Sequence, residues 1–181
     1  MWRWTKRGFL EIFRGVRRRL RCWLFRGLWF LIAYLQRSAL LREDSCKLKI
    51  LSGVFFCGLE DELVTHLFLG CDVSNQVWRG VMIWIEFNLI TPPNLFIHII
   101  SWSSAMGTKK LRKGAQIIWY AVIWMIWKMR NDIIFNSKVC GVDELVGKIK
   151  VISWHWSINR LKIASCLFYE WCWNPREWLL R

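Results

Sequence analysis

Ile117 to Trp127 is a run of eleven consecutive apolar residues. Lys109, Lys110, Arg112 and Lys113 precede it, and Lys128 and Arg130 close it. A bilayer span needs about 20 apolar residues, so the run is too short to cross one. It is apolar all round the helical period, which is the pattern of a helix enclosed by the rest of a core. The spacing therefore predicts a buried central helix that continues to Phe135.

The flanking segments read as its partners. Asp72 or Ser74 is expected to cap a helix on which Val77, Val81, Trp84, Ile85 and Asn88 recur at amphipathic intervals. Thr91-Pro92-Pro93 is expected to end that unit, since proline cannot continue a helix. Asn94 to Trp102 suits a short helix, and Ser103 to Lys110 reads as a mobile connector. Beyond Gly141, Asp143 and Glu144 open another helix, where the helix dipole favours acids. Leu145, Ile149, Ile152 and Trp156 form its expected inner face, with Arg160 and Lys162 near its C-terminal end. The aromatic tail, Cys166 to Trp178, is expected to pack on the long helices. The fold class is thus all-α, an irregular helical domain with a basic N-terminal arm. Its boundaries are 1–36 for the arm, 37–90 for a middle region and 91–181 for a tryptophan-rich helical extension.

Charge separates the arm from the rest. The whole chain carries a net charge of +14. Residues 1–37 hold ten Lys/Arg against Glu11, leaving +5 for the remainder. Such an excess suits polyanions, either nucleic acid or lipid head groups. Arg14, Arg17, Arg18, Arg19 and Arg21 are the candidate nucleic-acid-binding residues. A signal peptide is not expected, because the basic region is too long and no small-x-small site follows Leu35. The apolar run 27–35 is too short to span, and extending it to Cys22 would bury Arg26. Two readings of the arm stay open: a basic amphipathic helix lying on a membrane or RNA, or a poorly ordered arm with one docked helix. The fifteen tryptophans exceed what a core needs, so some are expected at the surface or awaiting a partner.

Cysteine usage points to one local site. The seven cysteines are an odd number without the spacing of a disulfide scaffold, which favours a reducing compartment, nucleus or cytoplasm. Cys140, Cys166 and Cys172 are expected to pack as small hydrophobes. Cys57, His66 and Cys71 are different, with eight and then four residues between them. Cys and His are the ligand types of structural zinc, which normally has four of them. Glu60, Asp61 and Glu62 start a helical stretch that would carry His66, and Cys71 would follow its end, so the three can converge.

This segment, Cys57 to His66-Leu-Phe-Leu-Gly-Cys71 and then Ser74-x-x-Val77-Trp78, resembles the zinc-binding domain of plant non-LTR (LINE-type) retrotransposon reverse transcriptases. Downstream, Ile126-Trp127-Lys-Met-Arg130-Asn131 and the tail from Ile152 to Pro175 resemble the segments that follow it in such elements. The resemblance runs from about Leu40 to the C-terminus. It implies a C-x2-C opening, but Val54 stands at the first of those cysteines. The knuckle is therefore degenerate, and zinc is expected to be held weakly or lost. The implied role is accessory, with RNA or single-stranded DNA held near a polymerase.

The chain offers no catalysis of its own. It has no paired Asp-Asp after an aromatic residue, no phosphate-binding glycine loop, no G-x-S-x-G and no nucleophile beside its three histidines. No enzyme activity and no small-molecule substrate are expected. Two alternatives stand beside this reading. One is a membrane-associated protein anchored by 27–35 and 117–127, and the other a pseudogene-like product without function.

Overall fold

The computed structural model describes residues 65–92, 94–161 and 166–180, without the side chains of Ile134 and Phe135. They belong to one compact unit, Leu48–Arg181. Every regular element among them is helical. A single π-helical turn, His66–Gly70, leads into α1 (Asp72–Trp84), α2 (Leu95–Ser104), α3 (Lys109–Asn136), α4 (Val142–Leu161), α5 (Phe168–Trp173) and α6 (Pro175–Leu180). The class is all-α.

The apolar run lies where its composition requires. In α3, every residue from Ile117 to Trp127 is buried except Trp124, which is exposed, and Trp127, which is half-buried. Helix α4 packs on it most extensively, α2 and α6 lie against its first half, the π-turn and α1 also touch it, and α5 packs on α4 and α6. The run's apolar surface is thus taken up by the protein's own interior. No helix among the described residues is long and apolar enough to cross a membrane. Residues on both sides of position 90 share this core, since α1 packs on α4 and α3.

Helix starts follow local chemistry. The Asn94 carboxamide oxygen accepts from the N–H groups of Phe96 and Ile97 at 2.8 and 3.2 Å, and the Thr108 hydroxyl accepts from Leu111 N–H at 3.2 Å. Each satisfies donors that the first helical turn leaves orphaned. Neither Asp72 nor Ser74 caps α1. Cys71 stands at its N-cap without a side-chain bond, and the buried Ser74 hydroxyl donates to the Leu67 carbonyl instead. Helix α1 also stops at Trp84, well before Pro92. Glu86 turns the chain at φ 51°, and Phe87 N–H closes back on Met82 O at 2.9 Å. Ser137 does the same after α3, at φ 52°, with Lys138 N–H on Asp132 O at 3.1 Å. Both are left-handed stops of the kind that glycine usually fills. The expected mobile connector shrinks to 105–108. Met106 is buried there, and Arg112 Nε donates to its carbonyl at 3.0 Å.

The inner face of α4 differs from the expected one. Leu145 and Ile149 are fully buried, but the row continues through Ser153 and Ser157, while Ile152 and Trp156 are only half-buried. Small side chains let α4 approach its neighbours closely, and the Ser153 hydroxyl accepts from Trp171 Nε1 at 3.2 Å.

Tryptophan is the residue that ties the helices together. Trp84 Nε1 donates to Cys172 O at 3.0 Å, linking α1 to α5. Trp102 Nε1 donates to Ala115 O at 2.8 Å, linking α2 to α3. Trp154 Nε1 reaches Cys166 O at 3.1 Å, from α4 to the lead of α5. A buried indole brings a large apolar ring and one N–H that must find an acceptor. Most of the described tryptophans are therefore interior pins. Trp124 and Trp173 alone among them are exposed.

Candidate functional site

The motif around His66 and Cys71 folds as one interlocked turn. Leu67, Phe68 and Leu69 point inward and are buried. The turn closes with Cys71 N–H donating to His66 O at 2.8 Å. Two side chains from α1 then hold the carbonyls that the turn leaves open. Ser74 binds Leu67 O, and Trp78 Nε1 donates to Phe68 O at 2.8 Å. Gly70 leaves room for the His66 ring, because a Cβ there would lie 3.3 Å from His66 Nδ1. His66 is half-buried, and Cys71 is fully buried.

Of the three expected zinc ligands, His66 and Cys71 lie at the two ends of this turn. Cys57 and Val54 lie outside the described residues, as do Arg14, Arg17, Arg18, Arg19 and Arg21. Among the described residues no three His, Cys, Asp or Glu side chains gather as a metal-holding group. A structural zinc needs four ligands, so His66 and Cys71 by themselves do not fit one.

Above the turn sits a second arrangement that the sequence reading missed. Trp78 lies edge-on to His98, with ring centroids 4.5 Å apart, and to Trp102 at 5.3 Å. Trp119 closes the group, its Nε1 donating to His98 Nδ1 at 2.8 Å. That bond assigns the imidazole proton to Nε2 and fixes the ring neutral. His98 is 1% exposed, and burial lowers its pKa from 6.5 to about 4. A histidine so enclosed, with one nitrogen already accepting, is cut off from solvent-borne substrate. Its chemistry is that of an acceptor for Trp119 and a core filler. The available signal was His98 inside the apolar stretch Leu95 to Ile100, with Trp102 one turn on.

The remaining nucleophiles are quiet. Burial pushes the thiols of Cys140, Cys166 and Cys172 up from their ordinary value, away from the reactive thiolate. Cys166 is buried and the other two half-buried. Comparison with known proteins adds no relative: no family model, no curated protein and no solved structure matches the chain.

Proposed function

We propose that this chain is a non-catalytic remnant of the zinc-binding region of a retrotransposon reverse transcriptase, with an accessory nucleic-acid-binding role. The observation that carries the reading is the interlocking of its two motif segments. His66-Leu-Phe-Leu-Gly-Cys71 and Ser74-x-x-Val77-Trp78 are joined by the Ser74–Leu67 and Trp78–Phe68 bonds, with Val77 and Trp78 buried beneath. The resemblance thus rests on residues that depend on one another physically. The turn keeps its shape through these bonds and its apolar side chains, so it can outlast a weakened metal. Binding itself falls to Arg14, Arg17, Arg18, Arg19 and Arg21, as phosphate contacts without sequence preference.

The test is binding of the full chain, and of a chain lacking 1–37, to single-stranded RNA and DNA at rising salt. Log affinity should fall with log salt at roughly −0.7 per phosphate neutralised, and the deletion should lose most of the binding. Equal affinity with and without the arm would refute the assignment. The metal is tested by zinc content after dialysis. Low content in the native chain is expected, rising in Val54→Cys with a gain in thermal stability. One tightly held zinc per native chain would overturn the vestigial reading.

A further inference from the structure

Helix α2 carries an exposed apolar face, and the first turns of α3 carry a basic patch without an acidic partner among the described residues. On α2, Phe96, Ile97 and Ile100 are 37, 50 and 47% exposed, on the side away from buried His98 and Trp102. Helical spacing puts these three next to one another. The connector 105–108 then leads into Lys109, Lys110, Arg112 and Lys113 in the first turns of α3. None of these four side chains is ion-paired among the described residues. No Asp or Glu occurs anywhere between Glu86 and Asp132. Neighbouring α6 brings one cation, Arg176, and one acid, Glu177, which leaves the local excess unchanged.

The two halves of this surface are held together. Trp102 Nε1 binds Ala115 O at 2.8 Å, and Gln116 Nε2 binds the Ser103 hydroxyl at 3.2 Å. Arg112 is braced on the carbonyls of Met106 and Gly107. These bonds fix α2 against α3, so the apolar face and the cations keep set positions relative to each other. Their charge repels a second copy, whose patch would carry the same sign. Nucleic acid would answer the cations, but only Phe96, the least exposed of the three, has a flat ring on which a base can stack, and Ile97 and Ile100 have none. An apolar face flanked by cations is the composition that binds anionic bilayers at their interface.

We propose that the α2–α3 corner docks on an anionic lipid surface. Ile97 and Ile100 enter below the head groups, and Lys109, Lys110, Arg112 and Lys113 hold the phosphate and carboxylate groups above them. This contact lies in the interface plane and needs no spanning helix. It stands independently of the nucleic-acid role of the arm.

The experiment uses the full chain with a photo-crosslinking phenylalanine analogue at position 97 or 100, and at exposed Val139 as the control position. Vesicles of phosphatidylcholine with and without phosphatidylserine are the probes, with single-stranded RNA in a parallel arm. Lipid adducts are expected at 97 and 100 on phosphatidylserine vesicles and not at 139. Lys109→Glu with Lys113→Glu should lower vesicle partition roughly 20-fold or more, since each cation near such a surface contributes about fivefold. Ile97→Ser with Ile100→Ser should lower it as well while leaving RNA binding unchanged. Circular dichroism checks that both pairs, all at exposed positions, stay folded. Flotation without adducts at 97 and 100 would assign the membrane contact to the arm and overturn the proposal. So would adducts with RNA alone, adducts between two copies, or equal adducts at 139.

Discussion

Two tryptophan clusters in this unit are made of the same residue and fare differently. Around His98, Trp78, Trp102 and Trp119 are at most 1% exposed, and each indole N–H donates to a defined acceptor. Towards the C-terminus the treatment is mixed. Trp171 is fully buried and donates to Ser153, but Trp173, two residues on, is 88% exposed. Trp127 sits between, with a buried Nε1 that has no hydrogen-bond partner. Burial of the ring is favourable in every case. What sets Trp173 apart is that its ring stays in solvent, and what sets Trp127 apart is that burial of its Nε1 brings no acceptor within reach.

The largest effect should come from Trp78. Trp78→Ala removes a core ring and the donor to Phe68 O together, and should cost about 3–5 kcal/mol in urea unfolding. Trp78→Phe keeps most of the ring volume and should cost less, leaving mainly the unpaired carbonyl. If Trp78→Phe were as stable as the native chain, the N–H would matter little and the comparison would fail.

The same cluster should set an acid limit. Unfolded, His98 takes up a proton near its ordinary pKa of 6.5; folded, only near 4. Its folded value is depressed, so its contribution is intact above about 6.5 and is lost as pH falls towards 4. The loss over that window is about 3 kcal/mol. His98→Asn keeps an acceptor for Trp119 without titrating. Its stability should be lower at neutral pH but flatter between pH 6.5 and 4.5 by denaturant titration. An unchanged slope would detach His98 from the acid response.

Gly114 sharpens the C-terminal half of the comparison. A Cβ there would lie 2.2 Å from Leu179 Cδ2 and 2.8 Å from its Cγ, and Leu179 is buried. Gly114→Ala should therefore cost about 1–3 kcal/mol, against the usual gain of alanine in a helix. Hydrogen exchange should rise first in α6. A stabilised variant would mean that α6 is loosely attached. The smallest effect should be at Trp173. Trp173→Ser removes an exposed ring and should change stability by less than about 0.5 kcal/mol.

Legibility in the sequence followed the strength of the local signal. The central helix was readable because eleven apolar residues leave it no exposed face. The start of α4 was readable because Asp143 and Glu144 follow Gly141. The stop after Trp84 was not, because Glu86 adopts a left-handed turn without glycine; the end of α3 at Asn136 lies one residue beyond the expected Phe135. The candidate metal residues were legible as a motif, yet much of what that motif does locally is hydrogen bonding. Ser74 looked like a helix cap and is a clamp on Leu67.

The sequence by itself determined the helical class, the place of the central helix, the basic character of the arm and the adjacency of His66, Cys71 and Trp78. These depend on period, charge and short spacing, which neighbours along the chain decide. Only the tertiary structure decided which tryptophans are pins, that His98 is held neutral, and that α4 turns Ser153 and Ser157 inward in place of Ile152 and Trp156. Those outcomes depend on what arrives from distant segments. An indole N–H is satisfied by a carbonyl up to 88 residues away, as in Trp84 and Cys172, and a serine row is buried because another helix packs close against it. Periodicity states how apolar a face is; the partner that covers it, and the acceptor it carries, come only with the fold.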